Sequence, residues 1–183
     1  MKYSRVQLTK AFNQGQEMDF LFFWGHQSSK DGSVSKSCFS QWWMASFTEH
    51  EIQYKSAEHY MMAMKAELFD DIDMNEMILN SETPGKAKAL GRKVRNFDAD
   101  VWDANKYDIV KTANRLKFSQ NPELHEFIIQ TGNKILVEAS PVDQIWGIGL
   151  AKDNTDATNP NLWQGENLLG FALMEVRDEL TER

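Results

Sequence analysis

The stretch Tyr54-Lys55-Ser56-Ala57-Glu58-His59-Tyr60-Met61-Met62-Ala63-Met64-Lys65-Ala66-Glu67-Leu68-Phe69 decides how the rest of the chain is read. Serine caps helices well, because its hydroxyl accepts one of the backbone N–H groups left over in a first turn, and Ser56 stands where such a cap is needed. Neither Gly nor Pro interrupts the run from Glu58 to Phe69. The spacing therefore predicts a helix with Glu58 in its first turn, at the positive end of the dipole. Glu58, Met62 and Lys65 stand at i, i+4 and i+7 and share one face. The acid and the amine are then ~10 Å apart along the axis, too far for an ordinary intrahelical salt bridge. Two readings follow. In one, Glu58 only favours the dipole, Lys65 is solvated and the methionines fill a core; in the other, acid and amine serve one ligand.

Working outward, residues 45–48 and 51–54 pair as a hairpin about Glu49-His50 and deliver the chain into that helix. Further upstream, Asp19-Phe20-Leu21-Phe22-Phe23-Trp24 ahead of Gly25 reads as a buried strand. The serine-rich residues 26–37, with Gly32, read as a loop, either a surface excursion or a lid. Downstream, residues 70–79 form a second, acidic helix or a continuation of the first, and Thr83-Pro84 starts the next helix, which runs to about Val94. Lys88, Arg92 and Arg95 fall at i, i+4 and i+7 on it, a cationic stripe that is either a solvated face or a phosphate contact. Asp98 or Asp100 caps the next helix, with Trp102, Ile109, Ala113 and Leu116 facing the core and Lys117-Phe118 closing it. Asn121-Pro122 starts another helix that ends near Gly132, and residues 134–139 form a strand.

In Trp146-Gly147-Ile148-Gly149 the glycines permit close backbone approach to a ligand, with the indole available to stack on a base. No third glycine or strand-turn-helix context supports a dinucleotide fold, so nicotinamide redox chemistry is rejected. Residues 152–164 make a polar loop of the length that covers sites. Asn167 caps a last helix whose core stripe is Leu169, Leu173, Val176 and Leu180, and whose first amides are able to receive an anion.

Composition bounds the function. At 183 residues, with 42% hydrophobic and 26% charged residues, the chain suits one globular domain. A net charge of −7 argues against a general nucleic-acid binder, since an acidic surface repels the phosphate backbone. Cys38 is the single cysteine, so an intrachain disulfide and a thiolate cluster are both excluded, and a reduced, cytoplasmic setting is expected. His26, His50, His59 and His125 show no ligand spacing, and no metal is expected. Apolar runs fall far short of the ~20 residues that span a bilayer. The fold expected is α+β, a single compact, mainly helical domain with a small antiparallel sheet near its N-terminal half, spanning residues 19–183 behind an N-terminal extension of residues 1–18.

The quoted stretch from Tyr54 to Ala66 closely resembles the central motif of the NADAR family, the YbiA-like N-glycosidases. Asp143-Gln144-Ile145-Trp146-Gly147-Ile148-Gly149-Leu150 looks like the family's second motif, and Trp163-Gln164-Gly165-Glu166-Asn167-Leu168-Leu169-Gly170 is similar to its third. Gly91-Arg92 and Lys117-Phe118 also match the family pattern, while Gln41 departs from the Asn that many members carry after Ser40. The resemblance implies hydrolysis of the bond between ribose phosphate or ADP-ribose and a nitrogenous base. Substrates of that kind are phosphoribosylamino-pyrimidine intermediates of riboflavin synthesis and ADP-ribosylated guanine, so the partner is a small nucleotide or a modified nucleic acid, without a cofactor. It implies catalytic roles for Glu58 and Lys65. Substrate contacts are implied for Phe39, Ser40, His59, Arg92, Lys117, Trp146, Gly147, Gly149 and Asn167. Core packing for Phe39 and Ser40, and a structural histidine at position 59, are the competing readings. The competing class of function is a noncatalytic module that binds ADP-ribose or a related nucleotide.

Overall fold

The computed structural model describes residues 1–27, 29, 31 and 33–182. Gly32 of the expected 26–37 loop lies outside the described residues. Two compact units emerge, one of Met1–Ser40 with His125–Arg183 and the other of Gln41–Leu124. Helices dominate both, as the α+β expectation held.

The unit Gln41–Leu124 opens with a hairpin, while β1 (Phe20–Phe23) belongs to the other unit. Its strands are β2 (Met44–Glu49) and β3 (Ile52–Ser56), paired antiparallel. His50 and Glu51 form the turn with φ 48° and 68°, the left-handed conformation that a two-residue hairpin loop demands at both central positions. Glu51, expected in the strand, is spent on that turn. Ser56 ends β3 and accepts from His59 N as the cap of α2 (Ala57–Leu68). Every residue of α2 from Ala57 to Ala63 is buried, because the helix packs on α3 (Ile72–Asn80), α4 (Pro84–Gly91) and α5 (Ala99–Gln120). A helix enclosed on several sides has little need of one apolar stripe. Thr83 and Asp98 cap α4 and α5 through their side-chain oxygens.

The expected cationic stripe does not exist as such. Helix α4 ends at Gly91 instead of continuing to Val94, and Arg95 turns back to Asp71. Asp71 caps Met74 N and accepts from Arg95 N at 2.8 Å and from Arg95 Nε at 3.0 Å. Those donors hold its carboxyl down at about 2.

The other unit contains α1 (Arg5–Asn13), a helix within the polar N-terminal extension that no apolar periodicity announced. Ser4 caps it by accepting from Gln7 N. Here β1 (Phe20–Phe23) pairs in parallel with β4 (Ile135–Glu138), Phe20 opposite Ile135 and Phe23 opposite Glu138. This parallel pair is additional to the expected antiparallel one. The boundary between units falls within α6 (Pro122–Ile129). Helix α7 (Leu168–Thr181) packs on β4, and Gly170 makes the approach feasible, since a Cβ there would stand 2.1 Å from Leu136 O. Among the described residues, no helix is long and apolar enough to cross a membrane.

Candidate functional site

Helix α2 carries the acid and the amine. Glu58 sits in its first turn, 4% exposed, with its backbone N–H donating to Gln41 O at 3.0 Å. A carboxylate so placed is fixed at the backbone and shielded from bulk water, which strengthens any charge interaction it makes.

Two turns on, Lys65 is half-buried. Its Nζ donates to Gly91 O at 3.0 Å and lies 4.2 Å from the ring centroid of Phe97 and 5.5 Å from that of Trp102. No carboxylate pairs with it among the described residues, and burial pushes its pKa below the ordinary lysine value. The side chain is thus a cation held by rings and a carbonyl, with a weaker grip on its proton than a solvated lysine has.

His59 has another task. Its Nε2 lies 3.2 Å from Ser81 O, which only accepts, so Nε2 carries the proton and Nδ1 accepts from the Ser56 hydroxyl at 2.8 Å. Burial lowers its pKa and keeps the ring neutral. Neither ring nitrogen is left for a substrate, so the structural reading of His59 replaces the pocket reading.

Lys117, on α5, is fully buried, with Nζ 5.2 Å from the Phe118 ring. Arg92 is exposed just past α4, where its backbone N–H donates to Lys88 O. The one residue is enclosed and the other free to meet a phosphate from solvent.

A polar pair that sequence reasoning missed lies beside the start of α2. Asn114 Nδ2 donates to Gln41 Oε1 at 2.8 Å and to Val110 O at 2.9 Å. Among the described residues, Gln41 Nε2 and Asn114 Oδ1 are buried without a hydrogen-bond partner. The bond from Glu58 N to Gln41 O makes this pair a support for the acid. A signal existed: asparagine disfavours helix interiors, yet Asn114 follows core-facing Ala113.

The remaining candidates belong to the other unit and are mostly occupied by its own packing. Phe39 is wholly buried, its ring 5.4 Å from that of Phe23 and 5.5 Å from that of Phe127, so it is a core residue there. Ser40 is half-buried and donates its backbone N–H to Ser37 O. Trp146 is half-buried, so part of its indole remains open for stacking.

The glycines beside it are explained differently than expected. A Cβ at Gly147 would stand 2.8 Å from Glu138 O, and one at Gly149, where φ is +70°, 2.9 Å from Gln164 Cβ. The close approach at both glycines is to the chain's own atoms. Asn167 is corrected as well. It precedes α7 in the left-handed conformation but makes no side-chain cap. Its carboxamide instead donates to Leu136 O at 3.0 Å and accepts from Glu138 N at 2.9 Å, bonding to β4 as a strand would. The first amides of α7 go to Ile145 O and Trp146 O, so they do not form the anion site expected of them. The 152–164 loop is tied by a 3-10 turn, Thr155–Thr158, and by Trp163 Nε1 donating to Ala157 O at 2.7 Å.

Residues 22–181 match the family model described as NADAR domain, which spans both units. A protein of Acanthamoeba polyphaga mimivirus named an N-glycosidase is 46% identical over 165 residues, 87% of this chain and 95% of its own length. Another so named, from Nostoc punctiforme, is 33% identical over 144 residues, 78% of this chain and 85% of its own. The NMR structure of the Escherichia coli protein YbiA superposes with a TM-score of 0.72 at 25% identity, covering 91% of this chain and 88% of that one.

Proposed function

Because the chain belongs to the NADAR family, we propose that it is a hydrolase that cleaves an N-glycosidic bond between a ribose phosphate or ADP-ribose and a nitrogenous base. The substrates are a small nucleotide of the phosphoribosylamino-pyrimidine kind or ADP-ribosylated guanine, free or within nucleic acid. The observation that carries this reading is the buried Glu58 at the head of α2, whose backbone N–H donates to the Gln41 carbonyl.

Breaking a C1–N bond leaves a sugar with oxocarbenium character, which an adjacent carboxylate stabilises while it takes a proton from the attacking water. Glu58 supplies that carboxylate. The water's oxygen bonds to C1 as the base departs with the bonding electrons, and the base is protonated on nitrogen.

Lys65 is the second catalytic residue. As a cation it holds substrate phosphate or hydroxyls. As the neutral amine, which burial favours relative to a solvated lysine, it attacks C1 and displaces the base, which leaves with the C1–N electrons and takes a proton; the lysine nitrogen, losing its proton, then opens the sugar ring to an imine as the ring oxygen is protonated, and water adds to the imine carbon and frees the sugar and the amine. Arg92, exposed just past α4, supports a contact to phosphate.

The test is to incubate the purified protein with phosphoribosylamino-pyrimidine, ADP-ribose and ADP-ribosylated guanosine and identify the products by mass. Free base or ribose 5-phosphate is expected. Binding without base release from any of the three would convert the assignment to a nucleotide-binding module.

A further inference from the structure

The N-terminal extension lies ahead of the matched family domain and is fastened firmly to α7 and the segment before it. Lys2 Nζ and Tyr3 Oη each donate to Asp178 Oδ2 at 2.7 Å. Arg5 donates to the backbone oxygens of Pro160, Trp163 and Gly165. Under α1 residues 3–18 line one side of a half-open cavity of about 370 Å³, with Leu8, Ile135, Phe171 and Met174 on its apolar wall and Arg177 on its polar one. Pockets that hold small organic molecules start at about this size, roughly 300 Å³.

Arg177 is the anomaly. It is 5% exposed, and the two hydrogen bonds it makes both come from Nη1, to Thr131 Oγ1 at 3.0 Å and to Lys134 O at 2.7 Å. Among the described residues, Nε and Nη2 have no hydrogen-bond partner and no carboxylate lies within ion-pair reach of the guanidinium. Arg177 lines this hollow and a neighbouring one of about 280 Å³. Asp178 acts on Arg177 only at longer range, with its Oδ2 already engaged by Lys2 and Tyr3. Burial accordingly pulls the guanidinium's pKa down, the mark of a charge whose lost hydration is incompletely replaced.

Buried cations are ordinarily paired, and the edge that remains here, Nε–H beside Nη2–H, is the one that grips a carboxylate with two parallel bonds. Glu17 and Asp178 also line the cavity, so a polyanion is repelled and a single negative charge is accommodated. We propose that the cavity beneath α1 is a second binding site, separate in kind from the nucleotide chemistry, for a small monocarboxylate. Its apolar body lies against Leu8, Phe171 and Met174, and Arg177 holds its charged end.

The full chain, labelled on nitrogen and on methionine methyls, is titrated with phenylacetate, hexanoate and naphthoate, each beside its neutral carboxamide, up to about 10 mM, the weak limit for fragments of this size. At least one acid is expected to shift Arg177 Nε–H and the Met174 methyl saturably, with its amide about tenfold weaker for want of the charge-assisted pair. Leu8→Trp fills the cavity from α1 and leaves Arg177 with its bonds, so it is expected to abolish the shift without changing the melting temperature of the family domain. Arg177→Lys keeps the charge, loses the fork and weakens binding. The proposal is overturned if none of the three acids gives a saturable shift, if amides bind as well as acids, or if binding survives in Leu8→Trp.

Discussion

Lys65 Nζ donates to the backbone oxygen of Gly91 at 3.0 Å, which ties the end of α4 to the last turn of α2. The contact depends on how closely the two helices meet: a Cβ built at Gly91 would stand 2.1 Å from Met62 Sδ. The Lys65 amine and the glycine two helices along the chain are therefore one structural unit, and each constrains what is tolerated at the other.

Gly91→Ala is expected to destabilise the protein by about 1–3 kcal/mol through overpacking against Met62. In the double variant with Met62→Ala the two losses should sum to less than their separate values, because shortening Met62 vacates the space the new methyl needs. Urea unfolding measures this, and strict additivity would show that the methyl is accommodated elsewhere.

Glu58→Gln preserves shape and the backbone bond to Gln41, so the fold should persist while base release falls about 10²- to 10⁴-fold. Near-ultraviolet circular dichroism checks the fold and product chromatography checks the rate. Release at the wild-type rate would remove Glu58 from the mechanism.

Lys65→Met should abolish turnover on either route. Lys65→Arg separates them, since arginine holds phosphate but forms no imine. Burial lowers the Lys65 pKa from its ordinary 10.5, so on the covalent route turnover rises with pH through a midpoint below that value. Borohydride should then trap a sugar on the wild-type protein. Failure to trap any adduct leaves Lys65 as a phosphate anchor only.

Acid stability should report on Asp71. Its pKa is about 2 in the fold and 3.8 when free, so the stabilisation is fully present above 3.8 and is lost as pH falls through about 2. Melting temperature against pH should therefore drop across that window in the wild type and less steeply in Asp71→Asn. Equal slopes in the two proteins would mean the ion pair with Arg95 contributes nothing.

His59 has the same sign in a milder range. The buried ring resists protonation while the unfolded chain takes up a proton near 6.5, so stability present above 6.5 declines as pH falls toward the lower folded value. Proton NMR of the ring should show no titration until below 6.5. A normal or raised midpoint would mean the ring is solvated.

The sequence by itself determined what depends on neighbours along the chain. Ser56, Thr83-Pro84 and Asp98 start their helices because a cap acts within one turn, and the hairpin ahead of Ser56 was legible for the same reason. Glu58 at the head of α2 followed from that local rule, and its proposed chemistry from the ordered motifs. Only the tertiary structure decided the rest. Pairing β1 with β4 joins residues more than a hundred positions apart, which spacing does not encode. The amide of Asn167 went to β4 instead of a cap, and Gly147 and Gly149 leave room for Glu138 O and the Gln164 side chain. Arg95 left its predicted stripe for Asp71, and Asn114 joined Gln41 behind the acid. In each case a buried polar group or a backbone oxygen had to find a partner in three dimensions, and the partner's identity is set by how the elements pack, not by what stands next to it in sequence.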